Sequence, residues 1–212
     1  MLHREPMLTS LPNLLTLSRI GVIPVLVAML FIAHPAAAWL ACLLFVAAAV
    51  TDYFDGHFAR SRRQVSAIGV FLDPIADKLL VSAVILMLVA TARIGGLVVL
   101  PALVILCREI LVSGLREFLA GLQVSVPVSR LSKWKTGIQM VALGFLIVGD
   151  AGPAAIPVRT IGEAGLWVAA ILTFFTGYDY LRTGLAHMTG TPTEPGPTEA
   201  VRQHPNPQPR VG

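Results

Sequence analysis

Charged residues are scarce in this 212-residue chain. Asp, Glu, Lys and Arg make up only 13% of the residues, whereas 55% are hydrophobic, and the mean hydropathy is +0.75. Soluble domains carry about twice that share of charge. Cysteine is scarce as well: Cys42 and Cys107 lie in apolar runs without a CxxC spacing, which argues against a zinc site or a disulfide. The composition excludes an ordinary soluble domain and predicts an all-α, polytopic membrane protein.

Six apolar runs divide the chain, each near the ~20 residues that cross a bilayer core. We predict six transmembrane helices, at 11–33, 36–59, 69–92, 97–119, 134–148 extended at its start, and 162–183. Turns are expected at His34-Pro35, Gly95-Gly96 and Gly152-Pro153. Residues 11–187 are then one membrane catalytic domain, preceded by a segment at 1–10 and followed by a Pro-rich tail at 188–212 that is predicted to be disordered.

Lysine and arginine predict the orientation of these helices. The net charge is +4, but the basic residues do not form a continuous stripe, which excludes a nucleic-acid surface. Only Arg93 and Arg159 fall in the loops of one side. The positive-inside rule therefore predicts that both termini are cytoplasmic. The basic residues of that side are Arg4, Arg60, Arg62, Arg63, Arg116, Arg130, Lys133, Lys135, Arg182, Arg202 and Arg210.

Four aspartates lie within 26 positions between two apolar runs. Asp52 and Asp55 are spaced i,i+3 and Asp73 and Asp77 i,i+4, so each pair shares one helix face. Four converging carboxylates repel one another unless a cation lies between them, and Mg²⁺ or Mn²⁺ suits oxygen ligands. The alternative is that these are helix-end acids solvated at the membrane surface. Ionisable groups in apolar surroundings are usually functional, which favours the metal site.

The same stretch contains small residues and one arginine. Gly56, Ala59 and Gly69 leave room for a flat or phosphorylated ligand to approach the backbone. Arg60 supplies a positive charge for a phosphate. Asn13 and Thr16, three residues apart, can face inward together near the start of the first helix, although Asn13 is equally plausible as a helix cap.

A basic set follows in the fourth and fifth predicted helices. Arg108 and Arg116 lie about two turns apart on broadly similar faces, and Lys133 and Lys135 lead into the next helix. We interpret these four residues as a pocket for the phosphate of a water-soluble substrate. The alternatives are pairing with neighbouring glutamates, or charge that only fixes the orientation of the protein in the membrane.

The acidic stretch fills every fixed position of the pattern Asp-x2-Asp-Gly-x2-Ala-Arg-x8-Gly-x3-Asp-x3-Asp. This pattern resembles the signature of the CDP-alcohol phosphotransferase family. Segments 12–19, 108–117 and 132–140 resemble the members that use glycerol phosphate. The resemblance implies a six-helix membrane enzyme, commonly a homodimer. It implies transfer of the phosphatidyl group of CDP-diacylglycerol to sn-glycerol 3-phosphate, with release of CMP. We expect the protein in a bacterial inner membrane, and the positive-inside rule predicts that the active site faces the cytoplasm.

The resemblance also implies roles for individual residues. Two Mg²⁺ or Mn²⁺ ions would be held by Asp52, Asp55, Asp73 and Asp77, and Asp77 would also be the catalytic base. Gly56, Arg60 and Ser66 would contact CDP-diacylglycerol, and we assign Asn13, Thr16, Ala59 and Gly69 to the same site. The acceptor phosphate would be bound by Arg108, Arg116, Lys133 and Lys135.

Two alternative functions remain at this point. The acidic motif does not identify the nucleophile, so inositol phosphate, serine or phosphatidylglycerol could replace glycerol 3-phosphate as acceptor. Intramembrane carboxylates could also line a divalent-cation transporter or a proton relay. Transport would require acids on both sides of the membrane or helices broken at mid-depth. Here the acids cluster beside Arg60 and Lys78, which would repel a permeating cation.

Overall fold

The computed structural model describes residues 11–62, 67–121 and 130–188, and this part of the chain folds into six α-helices without any strand. The predicted all-α fold is thus confirmed. The helices are α1 (Leu11–Phe31), α2 (Pro35–Arg62), α3 (Ala67–Ala90), α4 (Val99–Gly121), α5 (Arg130–Val148) and α6 (Val158–Met188).

The three predicted turns are present between these helices. Pro35 begins α2, where its fixed φ suits the first turn of a helix and its missing N–H is not needed. Gly96 adopts a φ of +55° between α3 and α4, and Gly149 a φ of +49° after α5. Residues with a Cβ rarely adopt this left-handed conformation, so glycine is favoured at these two positions, although Ala92 in the α3–α4 turn also has a φ of +55°.

The helices extend beyond the apolar runs at two places. Helix α2 continues to Arg62, past the predicted end at 59, and α6 covers Val158–Met188 rather than 162–183. Backbone hydrogen bonds do not depend on apolar side chains, so a helix can continue into the polar zone. The acidic motif therefore lies mostly within the helices α2 and α3, on both sides of residues 63–66, which are outside the described residues.

Helix α6 packs against α5 and α4, whereas α1 packs against α2 and α3, and α2 against α5. Small residues allow the close approach of α6. A Cβ at Gly162 would lie 2.8 Å from Cγ of Leu146 on α5, and a Cβ at Gly177 would lie 2.9 Å from Cγ of Arg108 on α4. Glycine at such crossings brings helix backbones together, which is typical of helices that associate in lipid.

Apolar side chains cover much of the outer surface, while several polar ones are buried. Leu86, Ile110 and Phe174 are 66%, 69% and 63% exposed, an arrangement that is unfavourable in water. Two helical stretches of the described chain, Gly96–Gly121 and Val158–Arg182, are long and apolar enough to cross a membrane, and Thr16–Phe31 and Pro35–Thr51 are shorter apolar helices. The buried polar residues are Thr16, Arg19, Lys135, Gln139, Thr173 and Thr176.

Arg159 links the two turns at the end of the molecule away from the acidic motif. Its guanidinium contacts Glu163 at 3.2 Å and Asp150 at 3.4 Å, and it donates to the carbonyl of Ala92 at 3.1 Å. Arg93 donates to the carbonyl of Ile147 beside it. Burial lowers the pKa of Arg93, and the Asp150 carboxylate raises it in part. The two arginines that the charge pattern assigned to one side thus lie at the same end.

Candidate active site

The four predicted metal ligands lie on two consecutive helices. Asp52 is about three turns before the end of α2, and Asp77 about three turns after the start of α3. Asp55 and Asp73 lie between them along the chain, and α1 packs against both helices. The structure describes the helical backbone of Asp52, Asp55 and Asp73 but not their side chains. Both acidic pairs are consequently placed toward the same end of the molecule.

Asp77 has a described side chain, and its partner is Arg19 of α1. The Arg19 Nη1 atom lies 2.7 Å from Oδ1 of Asp77, and the Arg19 side chain is only 2% exposed. Sequence reasoning assigned no role to Arg19. The available signal was its position in an apolar helix, because a buried cation needs an anion nearby.

The Asp77 carboxylate remains able to bind a divalent ion. Its side chain is 48% exposed, so the contact with Arg19 does not bury the carboxylate. An all-oxygen set of aspartates suits Mg²⁺ or Mn²⁺ chemically. The residues with described side chains include no group of three or more potential metal ligands. Three of the four aspartates are not among these residues, so the metal site stays a prediction.

Of the residues assigned to CDP-diacylglycerol, only Thr16 has a described side chain. It is 2% exposed and lies one turn before Arg19, so the two residues share one face of α1. That face includes the residue that contacts Asp77. The others are outside the described side chains: Asn13 on α1, Gly56, Ala59 and Arg60 on α2, and Gly69 on α3, while Ser66 lies outside the described backbone.

Two members of the predicted basic set come together around Glu109. Lys135 donates from Nζ to Oε1 of Glu109, and the Arg108 Nη1 atom lies 3.4 Å from the same oxygen. Arg108 also donates from Nη2 to the hydroxyl of Thr176 at 3.4 Å. Lys135 is 2% exposed. The structure thus joins α4, α5 and α6 through one polar cluster.

Arg116 lies farther along α4 and is exposed. Its guanidinium stands over the ring of Tyr180 at 5.8 Å from the centroid, a cation–π arrangement. It is within electrostatic range of both Arg108 and Lys135. Lys133 is on α5 without a described side chain. Two described cations, Arg108 and Lys135, therefore share the one carboxylate of Glu109, which leaves a positive surplus.

A hydrogen bond connects the acidic and basic helices. Lys78, which directly follows Asp77 on α3, donates from Nζ to the hydroxyl of Ser113 on α4. Ser113 precedes Arg116 by three residues, so it lies within one turn of the basic set. The candidate metal ligand Asp77 and the cations of α4 therefore belong to one region of the molecule.

Two apolar grooves lie elsewhere. One, of about 590 Å³, runs between α5 and α6 past Trp134 and Gly165. The other, of about 670 Å³, lies between α2 and α5 and includes Trp39 and Phe45. Neither contains a residue of the acidic or basic sets. A membrane protein presents such grooves to lipid tails, so they do not compete with the polar site as a place for chemistry.

Comparison with known proteins identifies the family of the chain. The family model described as CDP-alcohol phosphatidyltransferase matches residues 9–175. A Rickettsia bellii protein named CDP-diacylglycerol–glycerol-3-phosphate 3-phosphatidyltransferase is 51% identical over 173 residues, covering 82% of this chain and 94% of its own length.

Relatives with the same name occur in other bacteria. The protein of Pectobacterium atrosepticum is 45% identical, covering 81% of this chain and 93% of its own length. The protein of Cereibacter sphaeroides is 38% identical, covering 84% of this chain and 97% of its own length. The resemblance that the acidic motif indicated is confirmed, and the chain belongs to the CDP-alcohol phosphatidyltransferase family.

Proposed function

We propose that this protein transfers the phosphatidyl group of CDP-diacylglycerol to sn-glycerol 3-phosphate, which gives phosphatidylglycerophosphate and CMP. The relatives that cover most of the chain carry the name of this reaction. The structural observation that carries the proposal is the Lys78–Ser113 hydrogen bond, which joins the Asp77 helix to the helix of Arg108 and Arg116. This contact supports the proposal that a site for a diphosphate and a site for a second phosphate are adjacent.

The protein acts within a membrane. All six helices span the bilayer of the bacterial inner membrane, and both termini are cytoplasmic. The tail predicted at 188–212 lies outside the described residues except for Met188, which ends α6. The arrangement in the membrane is supported by the exposed apolar surface and by the positive charges near the ends of α2, α4 and α6. The acidic stretch then opens toward the cytoplasm, where glycerol 3-phosphate is dissolved and where the diphosphate of the lipid lies.

Members of this family generally depend on a divalent metal. Asp52, Asp55, Asp73 and Asp77 would hold two Mg²⁺ or Mn²⁺ ions here. When bound, such ions neutralise the diphosphate oxygens and stabilise CMP as it leaves. The fit rests on the oxygen-only donor set and on the half-exposed Asp77 carboxylate.

The chain's own residues carry the rest of the reaction. Asp77 accepts the proton of the primary hydroxyl of glycerol 3-phosphate. That oxygen forms a bond to the β-phosphorus of CDP-diacylglycerol, and the bond between this phosphorus and the CMP oxygen breaks, with the electron pair leaving on CMP. Arg19 orients Asp77 through the 2.7 Å contact. After this step the proton is on Asp77, the phosphatidyl group is on glycerol phosphate, and CMP is free.

The two substrates are bound by different residue sets. CDP-diacylglycerol is bound by Arg60 and Ser66, with Asn13 and Thr16 of α1 beside them, and Gly56, Ala59 and Gly69 admit it close to the backbone. The acceptor phosphate, with about two negative charges, is bound by Arg108, Arg116, Lys133 and Lys135. The surplus of cations around Glu109 supports this assignment, because a neutral or zwitterionic acceptor would not need it.

The acceptor is tested by offering compounds to purified protein in detergent with CDP-diacylglycerol and Mg²⁺. We expect CMP release with glycerol 3-phosphate and none with glycerol, serine or unphosphorylated inositol. Inositol phosphate brings the same charge and is measured in parallel. A clear preference for inositol phosphate would overturn the assigned acceptor and leave the family. CMP release in detergent, where no gradient exists, also separates an enzyme from a cation transporter.

The homodimer is proposed from the family resemblance. Crosslinking in native membranes, followed by electrophoresis, should give a dimer band. Crosslinked monomers alone would contradict the dimer and would leave the activity assignment intact.

A further inference from the structure

We propose that Glu109 is a positioning residue for the acceptor phosphate. The inference rests on the proposed function, since it names the residue that prepares the basic set to receive the phosphorylated acceptor. Glu109 was not among the residues that the motif assigned to a substrate. Its role follows from three contacts that converge on the polar cluster between α4, α5 and α6.

One carboxylate oxygen of Glu109 binds both cations. Oε1 accepts from Nζ of Lys135 and lies 3.4 Å from Nη1 of Arg108. The two cations repel each other, and a carboxylate between them offsets that repulsion. Without it, the long side chains of Lys135 and Arg108 would turn apart. Glu109 thus keeps them together when no phosphate is bound.

Thr176 holds the other side of the Arg108 guanidinium. Its hydroxyl donates to the Leu172 carbonyl at 2.8 Å, which leaves an oxygen lone pair to accept from Nη2 of Arg108 at 3.4 Å. The Nε atom of Arg108 is buried and has no hydrogen-bond partner among the described residues. Arg108 is consequently held at both terminal nitrogens, each of which carries a second N–H.

Fixing these side chains in advance should strengthen phosphate binding. Lys and Arg lose rotamer freedom when they bind a ligand, and a site that has already restricted them loses less. The surplus of positive charge persists because Arg108 and Lys135 are two cations that share the one Glu109 carboxylate. The carboxylate therefore orders the cations without neutralising the set.

The test uses the full-length protein with substitutions at Glu109 and at a matched glutamate. We expect Glu109→Ala to raise the KM for glycerol 3-phosphate at least tenfold and to leave the KM for CDP-diacylglycerol within twofold. Glu109→Gln should recover part of the loss, because its amide oxygen still accepts from Lys135 but no longer offsets the repulsion. Glu117 is an exposed glutamate on the same helix. Glu117→Gln is therefore the matched control and should leave both KM values unchanged.

A second measurement does not depend on turnover. A ligand that binds the folded state raises the unfolding temperature, so glycerol 3-phosphate should raise the Tm of the unaltered protein and have a smaller effect on Glu109→Ala. A lower KM for glycerol 3-phosphate in Glu109→Ala would overturn the proposal, since the carboxylate would then compete with the phosphate. Equal rises in both KM values would also overturn it and indicate a purely structural role.

The assigned acceptor can be wrong while the role of Glu109 holds. If the unaltered protein used inositol phosphate instead, the same variants would be measured with that acceptor, and the selective rise in its KM would still be expected. If Glu109→Ala does not fold, Glu109→Gln has nearly the same shape, and an unchanged KM in that folded variant counts against the role of the charge.

Discussion

The guanidinium of Arg19 lies 2.7 Å from the carboxylate of Asp77, and it connects a fully buried position on α1 to the helix that carries the second acidic pair. The Arg19 side chain is 2% exposed and the Asp77 side chain 48% exposed, so a buried cation is held against a carboxylate that solvent still reaches. The contact therefore links the packing of α1 against α3 to the orientation of the proposed base.

Arg19→Ala should lower kcat for CMP release by about tenfold or more, since Asp77 loses the contact that orients it, an effect of about 1.4 kcal/mol or greater. Arg19→Lys should retain part of the rate, because a lysine keeps the charge but not the planar fork of donors. The measurement is kcat in protein that still elutes as a folded species. Arg159→Ala, at the opposite end, is the control and should keep its kcat; an unaltered kcat in Arg19→Ala would show that the contact is dispensable.

The metal site predicts a loss of activity by orders of magnitude in Asp52→Asn and Asp73→Asn, because each removes a charged oxygen ligand. EDTA should abolish CMP release, and Mg²⁺ or Mn²⁺ should restore it. Asp150→Asn is the matched control, since this aspartate is 81% exposed on the far side. Full activity in a chelated sample, or equal losses in the Asp150 variant, would remove the metal hypothesis.

Asp77→Asn should lower the rate more than it weakens the binding of CDP-diacylglycerol. A general base acts mainly in the transition state, so its loss appears in kcat. Binding is measured by titration of the purified variant with the lipid substrate in detergent, and kcat by CMP release. If binding and rate fell in equal proportion, Asp77 would be a metal ligand without a further role as base.

Much of the fold can be predicted from the sequence. The apolar runs determine the six helices, and the turns at Pro35 and Gly96 follow from the backbone preferences of proline and glycine. The ends of α2 and α6 cannot be predicted in this way, because a helix does not stop where its side chains become polar. The spacing of Asp73 and Asp77 likewise places both on one helix without any knowledge of tertiary packing.

The contacts between helices are not encoded in local patterns. Arg19 and Asp77 are 58 residues apart, and nothing in either segment indicates that α1 packs against α3. The same holds for Glu109 and Lys135, which are 26 residues apart. The sequence shows an excess of cations in this region, and only the packing of α4, α5 and α6 shows which cation meets the carboxylate.

The basic set should act on the acceptor alone. Arg116→Ala and Lys135→Ala are expected to raise the KM for glycerol 3-phosphate by about tenfold or more, because a charge-assisted hydrogen bond to phosphate contributes about 1.5–3 kcal/mol. The KM for CDP-diacylglycerol should change little. Arg182 is an exposed arginine on α6, so Arg182→Ala is the control for the general loss of a positive charge. Parallel increases in both KM values would place these residues at the nucleotide instead.

Gly177→Ala should impair acceptor binding through Arg108. The added Cβ would lie 2.9 Å from Cγ and 3.4 Å from Nε of Arg108, so the arginine must move away from Thr176 and Glu109. Gly114→Ala on α4 is the matched control, because an added Cβ there meets no atom within 4 Å.

Both substitutions favour the helix by up to about 1 kcal/mol, so helix propensity cannot explain a difference between them. The KM for glycerol 3-phosphate should therefore rise several-fold in Gly177→Ala and stay constant in Gly114→Ala, whereas the KM for CDP-diacylglycerol should be similar in both. If the two variants had the same KM for the acceptor, the close crossing of α4 and α6 at Gly177 would not determine the position of Arg108.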